Sequence, residues 1–348
     1  MGTYSSFTIS LHEIPQLRWF FTARSYGQQY DLDSKWKKWW VALRSLGFIL
    51  ADSGNDVWMG NVRGNTYSRN HTVLSPTSAE FWDFSFDEMA AVDLPALVKY
   101  VTETTKKRIF YIGHWTRGCP ALLYPPYPGN ERNEDLSKKI KQFIAFAPVA
   151  RVSHFRGLIL RAAQIQGILY KTAQKLGIHE LFPSWWLTKL LATQVCPHTS
   201  LCTNIMFAIT GADRANFNSS RAEVYECHNP AGTSVKNALH WAQLIVGQEL
   251  KMFDYKSVDA NKKHYGQETP PVYNITGLRV PTLLVMGGED WLADPQDEIW
   301  LFSKIGHAVS KAIIIDYYNH VDFIWGLDAP NKIYYPVIDC MKSYSSLY

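Results

Sequence analysis

A chain of 348 residues that is 47% hydrophobic and 19% charged has ample apolar material for a large core, so an extended disordered chain is excluded. Its 35 Lys and Arg against 31 Asp and Glu leave a formal charge of +4, too mild an excess to call for a nucleic-acid partner. Aromatic residues are abundant: 13 Trp, 19 Tyr and 17 Phe suit an apolar binding cleft, and equally an ordinary core.

The opening MGTYSSFTISLHEIPQLRWFF is interrupted by Glu13, Pro15 and Arg18 and lacks the basic-then-apolar order of a secretory leader. Gly2 and Ser6 fit a myristoylation pattern formally, but so short a pattern recurs by chance. Residues 1–44 contain no clear strand, and DSKWKKWW within them reads as a partly buried helix with solvated lysines. No uncharged apolar run reaches about 18 residues, so no transmembrane segment is expected.

Short apolar segments then recur, each bounded by Gly, Pro, Asp or Asn. Phe48–Ala51, Asp56–Met59, Arg108–Ile112, Phe143–Phe146, Thr282–Met286 and Ala312–Ile315 are the predicted strands. Their alternation with helical patterns predicts an α/β fold, a mostly parallel sheet covered on both faces. From Pro148 to about Asn237 the pattern turns helical, in LILRAAQIQGILYKTAQKL and SWWLTKLLATQV, which predicts an inserted helical cap or lid. The chain therefore divides into a divergent segment 1–44, a first core part 45–148, a cap 149–237 and a second core part 238–348. Within the first core part, CPALLYPPYPGN (119–130) carries four prolines through which no long helix runs.

The five cysteines, Cys119, Cys196, Cys202, Cys227 and Cys340, are an odd number, so at least one stays unpaired. Cys196 and Cys202 could close a small loop; with His198 they lack the second ligand pair of a structural zinc site. Asn70, Asn218 and Asn274 head N-x-S/T sequons, which fit a secreted ancestry although the leader is missing. No Gly-rich nucleotide loop and no H-E-x-x-H helix occurs, so no cofactor and no metal is expected.

Asp290 closes LLVMGGED and His320 follows AIIIDYYN, so both lie just past late strands, where open α/β sheets place ligand sites. In Ser-His-Asp catalysis the carboxylate fixes the imidazole tautomer and the imidazole takes the nucleophile's proton. Asp before His, late in the chain, is the order found in α/β-hydrolases. A surface acid and a hydrogen-bonded rim histidine would look the same in sequence.

The segments SLGFILADSGNDVWMGNVRGNTYSRNHTVLSP, EFWDFSFDEMAAVDLPALV, NPAGTSVKNALHW, PPVYNI, GGEDWLADPQD and NHVDFIWGLDAP resemble the acid lipase family, the group that contains gastric and lysosomal acid lipases. The match spans roughly residues 45–112 and 138–345. It implies an α/β-hydrolase fold with a helical lid, and hydrolysis of triacylglycerols or cholesteryl esters at a lipid–water interface. It also implies a serine acyl-enzyme, with Asp290 and His320 at the acid and base positions. Trp185, Trp186 and the cap leucines would suit an acyl cleft, and His240, in NALHW, reads as structural.

The family's elbow has the form G-H-S-Q-G. Here RIFYI runs into Gly113-His114-Trp115-Thr116-Arg117-Gly118. Counted from the first glycine, Trp115 stands at the nucleophile position; counted back from the second, Thr116 does, and Trp115 is an extra residue. Threonine has the hydroxyl, but its branched Cβ resists the backbone of such a turn. Cys119 lies beyond the turn and precedes Pro120. No His-Gly pair for a second oxyanion amide occurs in residues 1–44. Three readings follow: a lipase homologue impaired at its reactive centre, with the family pattern lost abruptly over 1–44 and 113–137; an ester hydrolase using Thr116 with His320 and Asp290; and a non-catalytic lipid-binding protein.

Overall fold

The computed structural model describes residues 9–10, 45–115, 132–181, 201–226 and 231–347. The predicted first strand is a helix instead. Residues Leu46–Asp52 form α1, with Leu46, Ile49 and Leu50 buried along one side at helical spacing. A four-residue apolar run satisfies both periods, and here the i, i+3, i+4 face is the one that packs. Of the second segment, Trp58–Met59 is extended and pairs antiparallel with Ile9–Ser10.

Helix α2 (Leu94–Thr105) buries Leu94, Val98 and Val101, has a proline in its first turn, and stops at Lys106 in a left-handed cap. It leads into β1 (Ile109–His114), and α3 (Arg132–Lys139) leads into β2 (Ile140–Phe146). After β2 come α4 (Gly157–Gln164), α5 (Gln166–Lys175) and α6 (Leu201–Thr210). A two-residue antiparallel pair, Glu180–Leu181 with Thr233–Ser234, closes this helical stretch and adds the only strand pairing described within it. Then follow α7 (Val235–Gly247), β3 (Thr282–Gly287), α8 (Pro295–Ile305), β4 (Val309–Ile315) and α9 (Tyr335–Leu347).

The four strands form one sheet in the order β1-β2-β3-β4, every pair parallel. All of β3 and nearly all of β2 is buried, which is why residues 143–146 of β2 and 283–286 of β3 read as continuous apolar runs rather than alternating ones. β4 lies at the edge, with Lys311 on it and Ile314 exposed. Register aligns the carboxyl ends: Gly113 faces Ala145, Phe146 faces Val285, and Gly287 faces Ile315. The aromatic residues distribute over the main core and two satellites, Phe81-Trp82-Phe84 and Phe207-Phe217. No helix among the described residues is long and apolar enough to cross a membrane.

Candidate functional site at the carboxyl ends of the strands

Two glycines bring the loops after β3 and β4 together. A Cβ on Gly288 would lie 2.2 Å from the carbonyl oxygen of Asp316, and one on Gly287 would lie 2.6 Å from that of Tyr318. Because neither has a side chain, Gly288 donates its amide to Ile315 (3.0 Å) and Glu289 to Tyr318 (3.0 Å). A third wall comes from the end of α6. The Thr210 carbonyl accepts the amides of Trp291 and His320, and the Gly211 carbonyl accepts the side-chain amide of Asn319. Gly211 has φ +94°, and a Cβ there would meet the Glu289 oxygen at 2.3 Å.

This framework joins Asp290 and His320, 30 residues apart in sequence, through Nδ1–H to Oδ2 at 2.8 Å. Asp290 is fully buried, and its Oδ1 accepts the amides of Leu292 (2.7 Å) and Ala293 (2.8 Å). Three donors thus hold the carboxylate without a cation. His320 is 4% exposed. With its Nδ1 proton committed to Asp290, the neutral ring presents a lone pair at Nε2, and that atom is buried with no hydrogen-bond partner among the described residues. This is the atom that would take a nucleophile's proton.

Across from it, at the end of β1, stands Trp115. Its φ is +57°, a left-handed conformation that a bulky side chain adopts only under constraint. Its indole meets the His320 ring edge to face at 5.4 Å and stacks on Trp241 of α7 at 5.8 Å. Indole Nε1 is also buried, with no hydrogen-bond partner among the described residues. His114, the residue before, donates from Nε2 to the His320 carbonyl at 3.0 Å, its ring 4.6 Å from the imidazole. Thr116 lies outside the described residues, as do Cys119, Trp185, Trp186, Cys196, His198 and Cys227.

Two further acids surround the pair. Burial pushes Asp322, whose Oδ2 accepts the Asn319 amide at 2.7 Å, up to about 8. Glu298, in the first turn of α8, is raised well above the usual carboxylate range, by burial first and then by the charge of Asp290. The Gly287 backbone opposes that rise in part, and neither Glu298 oxygen has a partner of good hydrogen-bond geometry among the described residues.

Over 304 residues the chain is 43% identical to the gastric triacylglycerol lipase of Bos taurus, covering 85% of this chain and 74% of that protein. Over 306 residues it is 42% identical to the lysosomal acid lipase/cholesteryl ester hydrolase of Rattus norvegicus, covering 86% and 75%. The chain belongs to the acid lipase family. No protein-family model matches it. Among solved structures, a soluble variant of the monoglyceride lipase of Saccharomyces cerevisiae, in complex with a substrate analogue, superposes with a TM-score of 0.50 at 14% identity. It covers 87% of this chain and 82% of that one, and it supports the α/β-hydrolase fold.

Within this family member the sequence pointed to Asp290 and His320 but not to what seats them. Gly211 and Thr210 are 79 and 80 residues from Asp290, at the end of a helix with no motif around it, so only the fold reveals them. Asn319 was the more legible omission, since an amide beside His320 is a natural brace. His240 sits deep in the core, stacked on Phe86 at 4.0 Å and donating to the Lys251 carbonyl at 2.9 Å; burial lowers it to about 4. Cys202 is disulfide-bonded to a residue outside the described set, and Cys340 is a free thiol. Of the sequon asparagines, Asn70 and Asn274 are exposed, and Asn218 caps a 3-10 turn through the Ser220 amide.

Proposed function

We propose that this chain is an acid-lipase-family ester hydrolase homologue whose reactive centre lacks a nucleophile, with Asp290 and His320 in the acid and base positions. The observation that carries the reading is Trp115. It holds the left-handed backbone at the end of β1 that an elbow requires, and its ring lies against the imidazole that a serine would address. The count from Gly113 is therefore favoured over the count from Gly118, which would make Thr116 the nucleophile. An indole has no hydroxyl to deprotonate, so His320 has no proton to accept from it and no acyl-enzyme forms there. Residues 149–237 act as the cap, and the ligand class is that of the family's relatives, neutral lipid esters and their acyl parts.

The test is incubation of the purified chain with a fluorophosphonate probe and with p-nitrophenyl butyrate. Neither covalent labelling nor turnover above the His320→Ala variant is expected. Labelling that disappears in Thr116→Ala and in His320→Ala would replace this reading with the Thr116 hydrolase.

A further inference from the structure

The two orphaned atoms at this centre are a donor and an acceptor that do not bond to each other. Trp115 Nε1 carries a proton and can only donate. His320 Nε2, while Nδ1–H is held by Asp290 at 2.8 Å, has a lone pair and can only accept. The two rings meet edge to face at 5.4 Å, and both atoms are buried without partners among the described residues. Buried donors and acceptors are almost always paired, so a donor and an acceptor left open side by side mark a place where a third group belongs.

We propose that this centre is a carboxyl-binding site, and that its ligand is a monocarboxylic acid with an apolar tail. The proposal rests on the reading that no nucleophile stands at the end of β1. An un-ionised carboxyl offers a hydroxyl for Nε2 and a carbonyl oxygen for the indole N–H, the pattern the two atoms lack. If the hydroxyl proton passes to the ring, the result is an imidazolium and a carboxylate with the same number of protons, held by two N–H donors. Asp290 on the far side of the ring favours that charge, and charge-assisted hydrogen bonds are about twice as strong as neutral ones. An ester supplies only acceptors and leaves Nε2 open. An alcohol or a water can engage either atom but cannot form the ion pair.

The surroundings suit the tail. Trp241 stacks on the indole at 5.8 Å, and α7, which carries it, packs against α4 and α5. Those helices present Leu158, Ile165, Ile168 and Leu169 at the surface. His114 is the other ionisable ring at the centre, and its Nε2 is already directed to the His320 carbonyl at 3.0 Å, so it does not compete for the carboxyl.

The experiment is calorimetric titration of the full chain with decanoic acid, methyl decanoate and 1-decanol, each kept below the concentration at which it aggregates. The acid is expected to bind at least tenfold more tightly than the ester and the alcohol. Trp115→Phe, which keeps an aromatic ring but removes the N–H that the carbonyl of either ligand accepts from, should weaken acid and ester alike by about threefold or more. His320→Phe, which removes the acceptor that only the acid's hydroxyl uses, should bring the acid to within about threefold of the ester, and because the wild-type comparison of acid with ester needs no variant, misfolding of either substitution leaves the test intact. Equal binding of all three ligands would overturn the proposal, since it would mean that only a water fills the centre. So would an acid preference that survives His320→Phe in a folded protein. Turnover of methyl decanoate would instead overturn the missing-nucleophile reading, and shows separately as product.

Discussion

Restoring the hydroxyl at position 115 is the sharpest perturbation available. In Trp115→Ser the strand end, its left-handed backbone and the Asp290–His320 pair remain, and the orphaned Nε2 gains a hydroxyl within its reach. In serine hydrolases removal of the nucleophile costs about 10⁶-fold in rate, so its return sets the upper bound of the gain. Two deductions apply. In sequence the four prolines of residues 119–130 leave no room for a long bracing helix, and a misplacement of about 1 Å costs about 10²-fold. An absent oxyanion donor costs about a further 10²–10³-fold. The expected gain is therefore about 10–10²-fold in p-nitrophenyl butyrate hydrolysis, with stoichiometric fluorophosphonate labelling of the new serine. Trp115→Ala, which opens the same space without a hydroxyl, and Trp115→Ser combined with His320→Ala are the controls. A serine variant that folds and labels no better than the alanine variant refutes the placement of residue 115 at the nucleophile position. A gain that persists without His320 refutes the role of the imidazole.

Three other outcomes follow from the same geometry. Glu298 is protonated in the fold to a higher pH than in the unfolded chain, where it titrates near 4.5, so its stabilising contribution is complete below about that pH and is lost as pH rises toward its folded value. Glu298→Gln should accordingly gain stability relative to the parent between pH 5 and pH 8 in urea unfolding, and an offset constant across that range would contradict the assignment. Gly288→Ala forces a methyl against the Asp316 carbonyl, where its Cβ would stand at 2.2 Å, and should cost about 1–3 kcal/mol in the same assay; an unchanged midpoint would mean that the two loops do not meet this closely. Asp290→Ala leaves the Leu292 and Ala293 amides and His320 Nδ1 without an acceptor, and should cost about 1–3 kcal/mol for each amide left buried and unpaired; a loss under about 0.5 kcal/mol would show that water replaces the carboxylate.

The sheet was legible wherever burial was complete. Residues 143–146 of β2 and 283–286 of β3 are buried without interruption, and a sequence records that as an unbroken apolar run. At the edge the record fades: β4 begins at Val309, three residues before its predicted start, because Ser310 and Lys311 face solvent and break the run. Phe48–Ala51 failed for the opposite reason, since four consecutive apolar residues carry no period, and the helix shows only when Leu46 is added. At the centre, the Asp290–His320 pair could be anticipated from the loop positions together with the family resemblance. The left-handed turn at Trp115 could not, because nothing in an indole announces a positive φ; the two glycine frames read equally well in sequence, and the proposed preference for the first rests on that backbone.

The persistence of an assembled acid–base pair is weak testimony for catalysis. Asp290 terminates two backbone amides as well as the imidazole, so it would be retained by a chain that only had to fold. His320 gives its own amide to Thr210 and its carbonyl to His114, which ties β1, α6 and the loop after β4 to one residue. By contrast, nothing in the fold needs an indole with its N–H unpaired at the end of β1; Phe would fill that space and stack on Trp241 without an orphaned donor. A structural explanation thus accounts for Asp290, for the imidazole's Nδ1 and for the His320 backbone. It leaves two atoms unexplained, Trp115 Nε1 and His320 Nε2, and any function of this centre has to pass through them.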